Sequence, residues 1–168
     1  MMKMKKEINE TVLSLYPNTF GVCYAIFDSP NDLVDYGIGY VRPVNSKKSI
    51  EKVKKYIKFH KPDIVVVRGL NKPNSRQNKR NQKLIDLICK KVKEQGLKVY
   101  QYKRSQIKEI FSQFNTTSKY QISKRIIEWF PELEGLEYPY RKEWMAENHN
   151  VGIFDAISMA FIHFYLNE

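Results

Sequence analysis

The heptapeptide PDIVVVR, residues 62–68, decides the predicted fold. Its four consecutive β-branched residues form a continuous apolar run that ends at a charged residue, and such a run is typical of a strand covered on both faces. Strands of this kind occur in sheets that carry helices on both sides, where parallel neighbours are joined through a helix. The stretch therefore predicts the central strand of an α/β fold.

Helical patterns flank this strand. Before it, apolar residues recur three and four apart behind a cap at Asn45 or Ser46, which predicts a helix. After it, residues 69–78 are polar and predict a loop, and residues 84–96 predict an amphipathic helix closed by a glycine. Residues 98–102 then predict a fifth strand.

The two ends of the chain complete the predicted architecture. Residues 11–41 hold three short apolar segments separated by turn residues, which predict an antiparallel meander. Two short helices follow, capped by Ser105 and near Thr117, and residues 151–166 predict an apolar final helix. The order β-β-β-α-β-α-β-α-α-α predicts a single domain over all 168 residues, built on a mixed five-stranded sheet flanked by helices.

The chain carries a formal net charge of +11, and the excess is unevenly distributed. Residues 1–125 contain 27 Lys and Arg against 10 Asp and Glu, whereas residues 126–168 contain 2 against 8. A positive field of this kind attracts polyanions and binds phosphate backbones without sequence preference. DNA or RNA is therefore the expected partner of this basic protein, which is expected to act in the cytoplasm.

Several classes of protein are not expected. No apolar run reaches the roughly 18–20 residues of a membrane helix, and the charged N-terminal residues lack the apolar stretch of a signal peptide. Neither a membrane partner nor export is predicted. Cys23 and Cys89 lie far apart in apolar surroundings, and the three histidines show no ligand spacing, so no disulfide framework, metal site or other cofactor is predicted.

Four segments resemble motifs of one family. Residues 12–21, VLSLYPNTFG, are similar to the first strand and following turn of the RuvC-type Holliday junction resolvases, a branch of the RNase H-like proteins. Residues 62–68 are similar to the fourth strand of that family. Residues 117–122, TSKYQI, resemble the start of its lysine-bearing helix, and residues 152–157, GIFDAI, resemble its final helix. The resemblance implies an RNase H-like fold over nearly the whole chain.

The resemblance also marks the positions of the family's catalytic carboxylates. Tyr16, Arg68 and Gly152 stand where acidic residues are usual, and Asp155 is the residue that is retained. RNase H-like nucleases hold two Mg²⁺ ions with several carboxylates, and one Asp cannot offset the charge of two ions. The expectation is that no catalytic site is intact and no metal is held. This predicts a pseudo-nuclease that binds branched or single-stranded nucleic acid.

Two of the replacing residues have more than one interpretation. Arg68 is expected to pair with Asp155 or to meet a phosphate directly, and an ordinary ion pair at a strand end stays open as well. Tyr16 is expected either to stack on a base or to fill the space that the carboxylate has left.

Basic residues follow the central strand with no acidic residue before Asp86. This segment leaves the carboxyl end of the strand, where the fold predicts the substrate groove, and its neutral Asn and Gln residues are of a kind that contacts phosphate and sugar. Lys119 belongs to the same predicted groove through the resemblance. The predicted nucleic-acid-binding residues are Arg68, Lys72, Arg76, Lys79, Arg80, Lys83 and Lys119.

Three functions stay open on the sequence alone. The first is the pseudo-nuclease, for which the resemblance implies a possible homodimer. The second is an active, Mg²⁺-dependent endodeoxyribonuclease of the resolvase type, whose missing ligands come from Asp28, Asp32, Asp35 or Glu147. The third is a protein-interaction module that uses the aromatic and acidic segment of residues 132–147 as its contact surface.

Overall fold

The structure, a computed structural model, describes residues 10–70, 76–142 and 144–167, without the side chains of residues 76–78. Within these ranges, five strands form one sheet. The strands are β1 (Val12–Asn18), β2 (Gly21–Ser29), β3 (Asp32–Tyr40), β4 (Ile64–Gly69) and β5 (Lys98–Lys103).

The sheet has the strand order β3-β2-β1-β4-β5, and its directions change at the middle. The three N-terminal strands are antiparallel neighbours, whereas β4 runs parallel to β1 and β5 runs parallel to β4. The side chains of Val65, Val66 and Val67 have no exposed surface. The prediction of a central strand in a mixed five-stranded sheet is therefore confirmed.

Five α-helices and two short 3₁₀ helices surround the sheet in the described ranges. The 3₁₀ helices are Ser112–Phe114 and Pro131–Leu136. The α-helices are α1 (Ser46–His60), α2 (Arg76–Glu94), α3 (Arg104–Phe111), α4 (Lys119–Trp129) and α5 (Val151–Leu166).

The helices are divided between the two faces of the sheet. Because side chains alternate along a strand, Val12 and Tyr16 of β1 pack in one core with α3, α4 and α5. Leu13 and Leu15 point the other way and pack in a second core with α1 and α2. The lysine-rich face of α1 and the final helix α5 therefore lie on opposite sides of the molecule.

Two helix caps follow the sequence prediction closely. At the start of α1, the amide of Lys48 donates to Asn45 Oδ1 at 3.0 Å. At the start of α4, the amide of Gln121 donates to Ser118 Oγ at 3.1 Å, one residue beyond Thr117. In both cases a side-chain oxygen satisfies an amide that the helix itself leaves unpaired.

The cap predicted for α3 is wrong by two residues. The helix starts at Arg104, with Lys103 in the capping position, so Ser105 lies inside the first turn. Strand β5 ends at Lys103, and the helix begins without a linker. Residue 104 is thereby fixed at the edge of the sheet.

The start of α2 also corrects a prediction. The helix begins at Arg76, so the loop predicted for residues 69–78 is shorter, and Arg76, Lys79, Arg80 and Lys83 are helical. The first two turns hold no apolar residue, and hydrophobic periodicity cannot detect such turns. The predicted binding residue Lys72 lies outside the described residues.

Helix α5 is buried along nearly its whole length. It packs across β1, β2 and β4, and Ser14 Oγ of β1 donates to the carbonyl oxygen of Ala156 at 2.6 Å. Although α5 is apolar, none of the described helices is long and apolar enough to cross a membrane. The first turns of α5 carry Gly152 and Asp155 over the ends of β1 and β2.

Candidate nucleic-acid interface

The carboxyl ends of three parallel strands meet at one edge of the sheet. Leu15 of β1 is paired in register with Val67 of β4, so Tyr16 and Arg68 are neighbours at this edge. Arg68 is in turn paired in register with Tyr102 of β5. Ligand sites of open α/β sheets form outside such carboxyl ends. The helix starts that carry Arg104, Lys119 and Asp155 border the same edge, as their contacts show.

Arg68 is held against β1 and not against the retained carboxylate. Its Nη1 donates to the carbonyl oxygen of Pro17 at 2.7 Å, and its guanidinium carbon lies 4.1 Å from the centre of the Tyr16 ring. Its Nε is buried without a hydrogen-bond partner among the described atoms. The expected pairing of Arg68 with Asp155 is therefore replaced by a cation–π contact and a strand-end hydrogen bond.

Asp155 has two other cations as its partners. An Arg104 guanidinium nitrogen donates to Asp155 Oδ1, and Lys119 Nζ lies 3.2 Å from Asp155 Oδ2. The carboxylate side chain is 4% exposed, whereas the side chains of Arg104 and Lys119 are 21% and 35% exposed. A buried carboxylate thus lies between two cations that still reach solvent.

The pKa values of both cations reflect this arrangement. Burial alone would lower the pKa of Arg104, but the Asp155 carboxylate and the Tyr16 side chain raise it to a net value above the ordinary one. Burial likewise opposes the charge of Lys119, and Asp155 again raises its pKa above the usual 10.5. Both side chains therefore stay cationic throughout the neutral range.

The network extends outward through Glu147. Lys119 Nζ lies 3.4 Å from Glu147 Oε2, and Arg141 Nη1 lies 3.5 Å from the same oxygen. Lys119 Nζ also lies 5.8 Å from the centre of the Tyr16 ring, on which Arg68 packs. The structure therefore brings together Arg68 and Lys119, two of the predicted binding residues, around one tyrosine.

Packing leaves no room for a side chain at Gly152. A Cβ atom built on this residue would lie 2.4 Å from Cys23 Sγ and 2.6 Å from Asn18 Nδ2. Both distances are far below van der Waals contact. Burial raises the pKa of the Cys23 thiol to about 12, so the thiol stays protonated at neutral pH. A carboxylate at this position would require the side chains of Cys23 and Asn18 to move.

These residues do not fit the two-metal site that the resemblance implies. Two Mg²⁺ ions need several anionic oxygen ligands, yet the oxygens of Asp155 face Arg104 and Lys119, and Tyr16 and Arg68 supply no carboxylate. No group of three His, Cys, Asp or Glu residues that could hold a metal ion occurs in the described part of the chain.

Three of the carboxylates considered as substitute ligands lie elsewhere. Asp28 accepts a hydrogen bond from Thr11 Oγ1 beside the start of β1, and Asp32 is exposed at the opening of β3. Asp35 Oδ2 lies 3.1 Å from His60 Nε2, on the side of the sheet that α1 covers. Glu147 is the candidate that comes near the edge, through its contact with Lys119.

The basic start of α2 lies close to the same edge. Gln82 of α2 lines a small pocket together with Gly69 at the end of β4 and Lys103 at the end of β5. The side chains of Lys79, Arg80 and Lys83 are exposed in the neighbouring turns. Arg76 lies in the first turn of α2, but its side chain is outside the described atoms. That this side chain faces the edge therefore stays a prediction.

Sequence reasoning missed Arg104, which contacts the retained carboxylate. The two residues are 51 positions apart, and no local pattern connects them. The strand order could have predicted the location of Arg104. This residue directly follows β5, and the carboxyl end of β5 lies beside that of β4. A cation placed immediately after such a strand belongs to the same edge as Arg68.

Comparisons with known proteins agree with this geometry at the level of the fold. The chain is similar to RuvC of Thermus thermophilus in complex with a Holliday junction substrate, with 18% identity and a TM-score of 0.61 over 94% of this chain and 95% of that one. A second structure of Thermus thermophilus RuvC gives 15% identity and a TM-score of 0.59 over the same shares of both chains.

A similar match is found to Ydc2, the yeast mitochondrial Holliday junction resolvase, with 11% identity and a TM-score of 0.58 over 94% of this chain and 81% of that one. No protein-family model and no curated protein matches the sequence. The chain therefore has the RuvC-like fold of the RNase H type that its sequence predicted.

Proposed function

We propose that this protein is a RuvC-like pseudo-nuclease, which binds branched or single-stranded nucleic acid without cutting it. The observation that carries the proposal is that Asp155 is bound by Arg104 and Lys119 at the edge where a RuvC-like nuclease would hold its metals. A site occupied by cationic side chains repels metal ions and attracts phosphates. The Holliday junction in the neighbouring Thermus complex supports DNA as the partner.

The distribution of charge supports binding at this edge. Arg68, Lys119 and Arg141 lie within one connected set of contacts, and the exposed basic turns of α2 border it. Phosphate contacts of this kind bind the backbone of any sequence and fix the orientation of the duplex or strand. The proposal also includes a homodimer, DNA or RNA as the ligand, and a location in the cytoplasm. Light scattering on the purified protein tests for the homodimer.

We expect no cleavage of four-way junction DNA in the presence of Mg²⁺ or Mn²⁺, because Asp155 has cations and no carboxylates as neighbours. The measurement is a gel assay of labelled junctions and single strands over a range of protein and metal concentrations. Tyr16→Phe is assayed as a matched variant. Because the wild-type protein is expected not to cut, this variant is expected not to cut either.

Cleavage that disappears both with EDTA and in a folded Asp155→Asn protein would contradict the proposal. In that case Glu147 is the first carboxylate to test as a relocated ligand, because it already lies next to Lys119.

Affinity for nucleic acid is expected to fall steeply with salt, because each phosphate contact releases counterions. Replacing Arg76, Lys79 and Arg80 by Ala should weaken binding to every sequence and reduce the salt slope by roughly 0.7–0.9 for each phosphate that the variant no longer binds. Fluorescence anisotropy at several salt concentrations measures both quantities.

The control removes the same charge from the other side of the molecule. Lys54, Lys55 and Lys58 are exposed on α1, which packs on the opposite face of the sheet from α5. Equal losses in the two triple variants would mean that binding follows net charge alone and that the site is not at this edge. Affinity without salt dependence would favour the protein-interaction module.

A further inference from the structure

An aromatic pocket opens beside the cationic edge. It has a volume of about 280 Å³ and lies between the start of α4 and the segment that precedes α5. Its walls combine rings with charged groups. Its lining includes Lys119, Tyr120, Tyr138, Tyr140, Arg141 and Glu147.

The three tyrosines differ in how firmly they are held. Tyr138 is buried, and its hydroxyl donates to the carbonyl oxygen of Lys119 at 3.2 Å. The ring of Tyr120 packs nearly perpendicular to those of Tyr138 and Tyr140, with centroid distances of 6.1 and 5.4 Å. Tyr140 is 67% exposed, although an aromatic ring of this size gains from burial. The pocket therefore has a rigid inner wall and an uncovered outer ring.

Charged groups connect the pocket with the proposed binding edge. Lys119 lines the pocket and also contacts Asp155, and Arg141 and Glu147 lie in the same chain of ion pairs. The side chain of Arg141 is 48% exposed, so it can meet a phosphate at the rim. Glu147 offers carboxylate oxygens, which accept hydrogen bonds from amino groups.

We propose that this pocket takes one unpaired nucleobase, stacked on Tyr140, from a strand whose phosphates follow Lys119 and Arg141. The inference rests on the proposed function and deepens it, because it names nucleic acid with an unpaired base as the preferred ligand. Flat aromatic walls suit a base of any type, since every base has a face that stacks. The adjacent cations, Lys119 and Arg141, would contact the phosphate that is attached to the bound nucleoside.

The test compares oligonucleotides that keep or lack bases. The ligands are a single strand of thymines and a strand of the same length in which every residue is abasic. Tyr140→Ala is expected to weaken binding to the thymine strand roughly 5- to 100-fold, because stacking on one ring is removed. The salt slope should stay unchanged, since a neutral ring releases no counterions. Tyr140→Trp should keep the affinity, and the abasic strand should bind the Ala variant and the wild type alike.

The matched control is Phe59→Ala, which removes a ring that is 81% exposed on α1, on the other face of the sheet. If Tyr140→Ala binds the thymine strand as tightly as the wild type while binding still falls with salt, the pocket assignment is overturned and the proposed function stands. If no strand binds at all, the proposed function fails and the inference fails with it. A drop in affinity for both strands equally would assign Tyr140 to something other than base stacking and would also overturn the inference.

Discussion

Replacing Asp155 by Asn is expected to lower the free energy of unfolding by about 2–4 kcal/mol. The carboxylate side chain is 4% exposed and faces two cations, so its removal leaves Arg104 and Lys119 close together, with Glu147 as the remaining counter-charge beside Lys119. The partial exposure of both cations keeps the loss below that of a fully buried pair. Thermal unfolding measures the effect, with a shift of about 2–4 °C for each kcal/mol in a chain of this size.

The pH dependence of this loss has a defined sign. Because the pKa of Lys119 is raised in the folded protein, its ion pair contributes fully below the unfolded value of 10.5 and is lost as the pH rises through the folded value. The deficit of the Asn variant should therefore be constant around neutral pH and shrink in alkali.

Glu147→Gln is the matched control for Asp155→Asn, since it also removes one negative charge beside Lys119. Its side chain is 34% exposed, and such pairs contribute about 0–1 kcal/mol. Equal losses in the two variants would contradict the assignment of Asp155 as the buried centre of the network.

A folded Asn variant should in addition bind nucleic acid at least as tightly as the wild type, because Arg104 and Lys119 become free to meet phosphate.

The second large effect is expected for Gly152→Ala. The added Cβ would lie 2.4 Å from Cys23 Sγ in a fully buried site, and overpacking of this kind costs about 1–3 kcal/mol. The gain in helix propensity, at most about 1 kcal/mol, offsets part of this cost. Thermal unfolding of the variant against the wild type measures the net loss.

Gly135→Ala provides the control, because a Cβ at that position meets nothing within 4 Å. A second variant tests the cause: adding Cys23→Ala to Gly152→Ala removes the sulfur and should recover part of the loss, so that the two substitutions are not additive. A Gly152→Ala protein as stable as the wild type would show that α5 can shift without cost. The space at this position would then no longer explain the missing carboxylate.

The sequence predicted the sheet because its signals are local. The apolar run of β4 and the periodicity of α1 each lie within one short segment, and the order of such segments along the chain predicted the mixed sheet. The start of α2 was misplaced because Arg76 and the residues after it are polar, and a helix turn without apolar residues carries no period. Its helical state depends on the rest of α2, which packs on the sheet.

The location of the candidate site was predictable from the sequence, but the pairing of its side chains was not. Tyr16, Arg68, Gly152 and Asp155 were all identified, and the structure places them at one edge. Arg104 was not identified as the partner of Asp155, since the two residues are 51 positions apart. Their ion pair depends on how α3 leaves β5. Packing distances such as those around Gly152 are likewise a property of the assembled fold.

The crowding of cations around Tyr16 has a consequence for how such a site could change over evolutionary time. Arg68 lies 4.1 Å from this ring and Lys119 lies 5.8 Å from it. A carboxylate introduced at residue 16 would be captured by these side chains as an ion pair before it could serve a metal. If the proposed function holds, a single substitution at residue 16 would therefore not restore metal binding. Several positions of this edge would have to change together before it could hold a pair of metal ions.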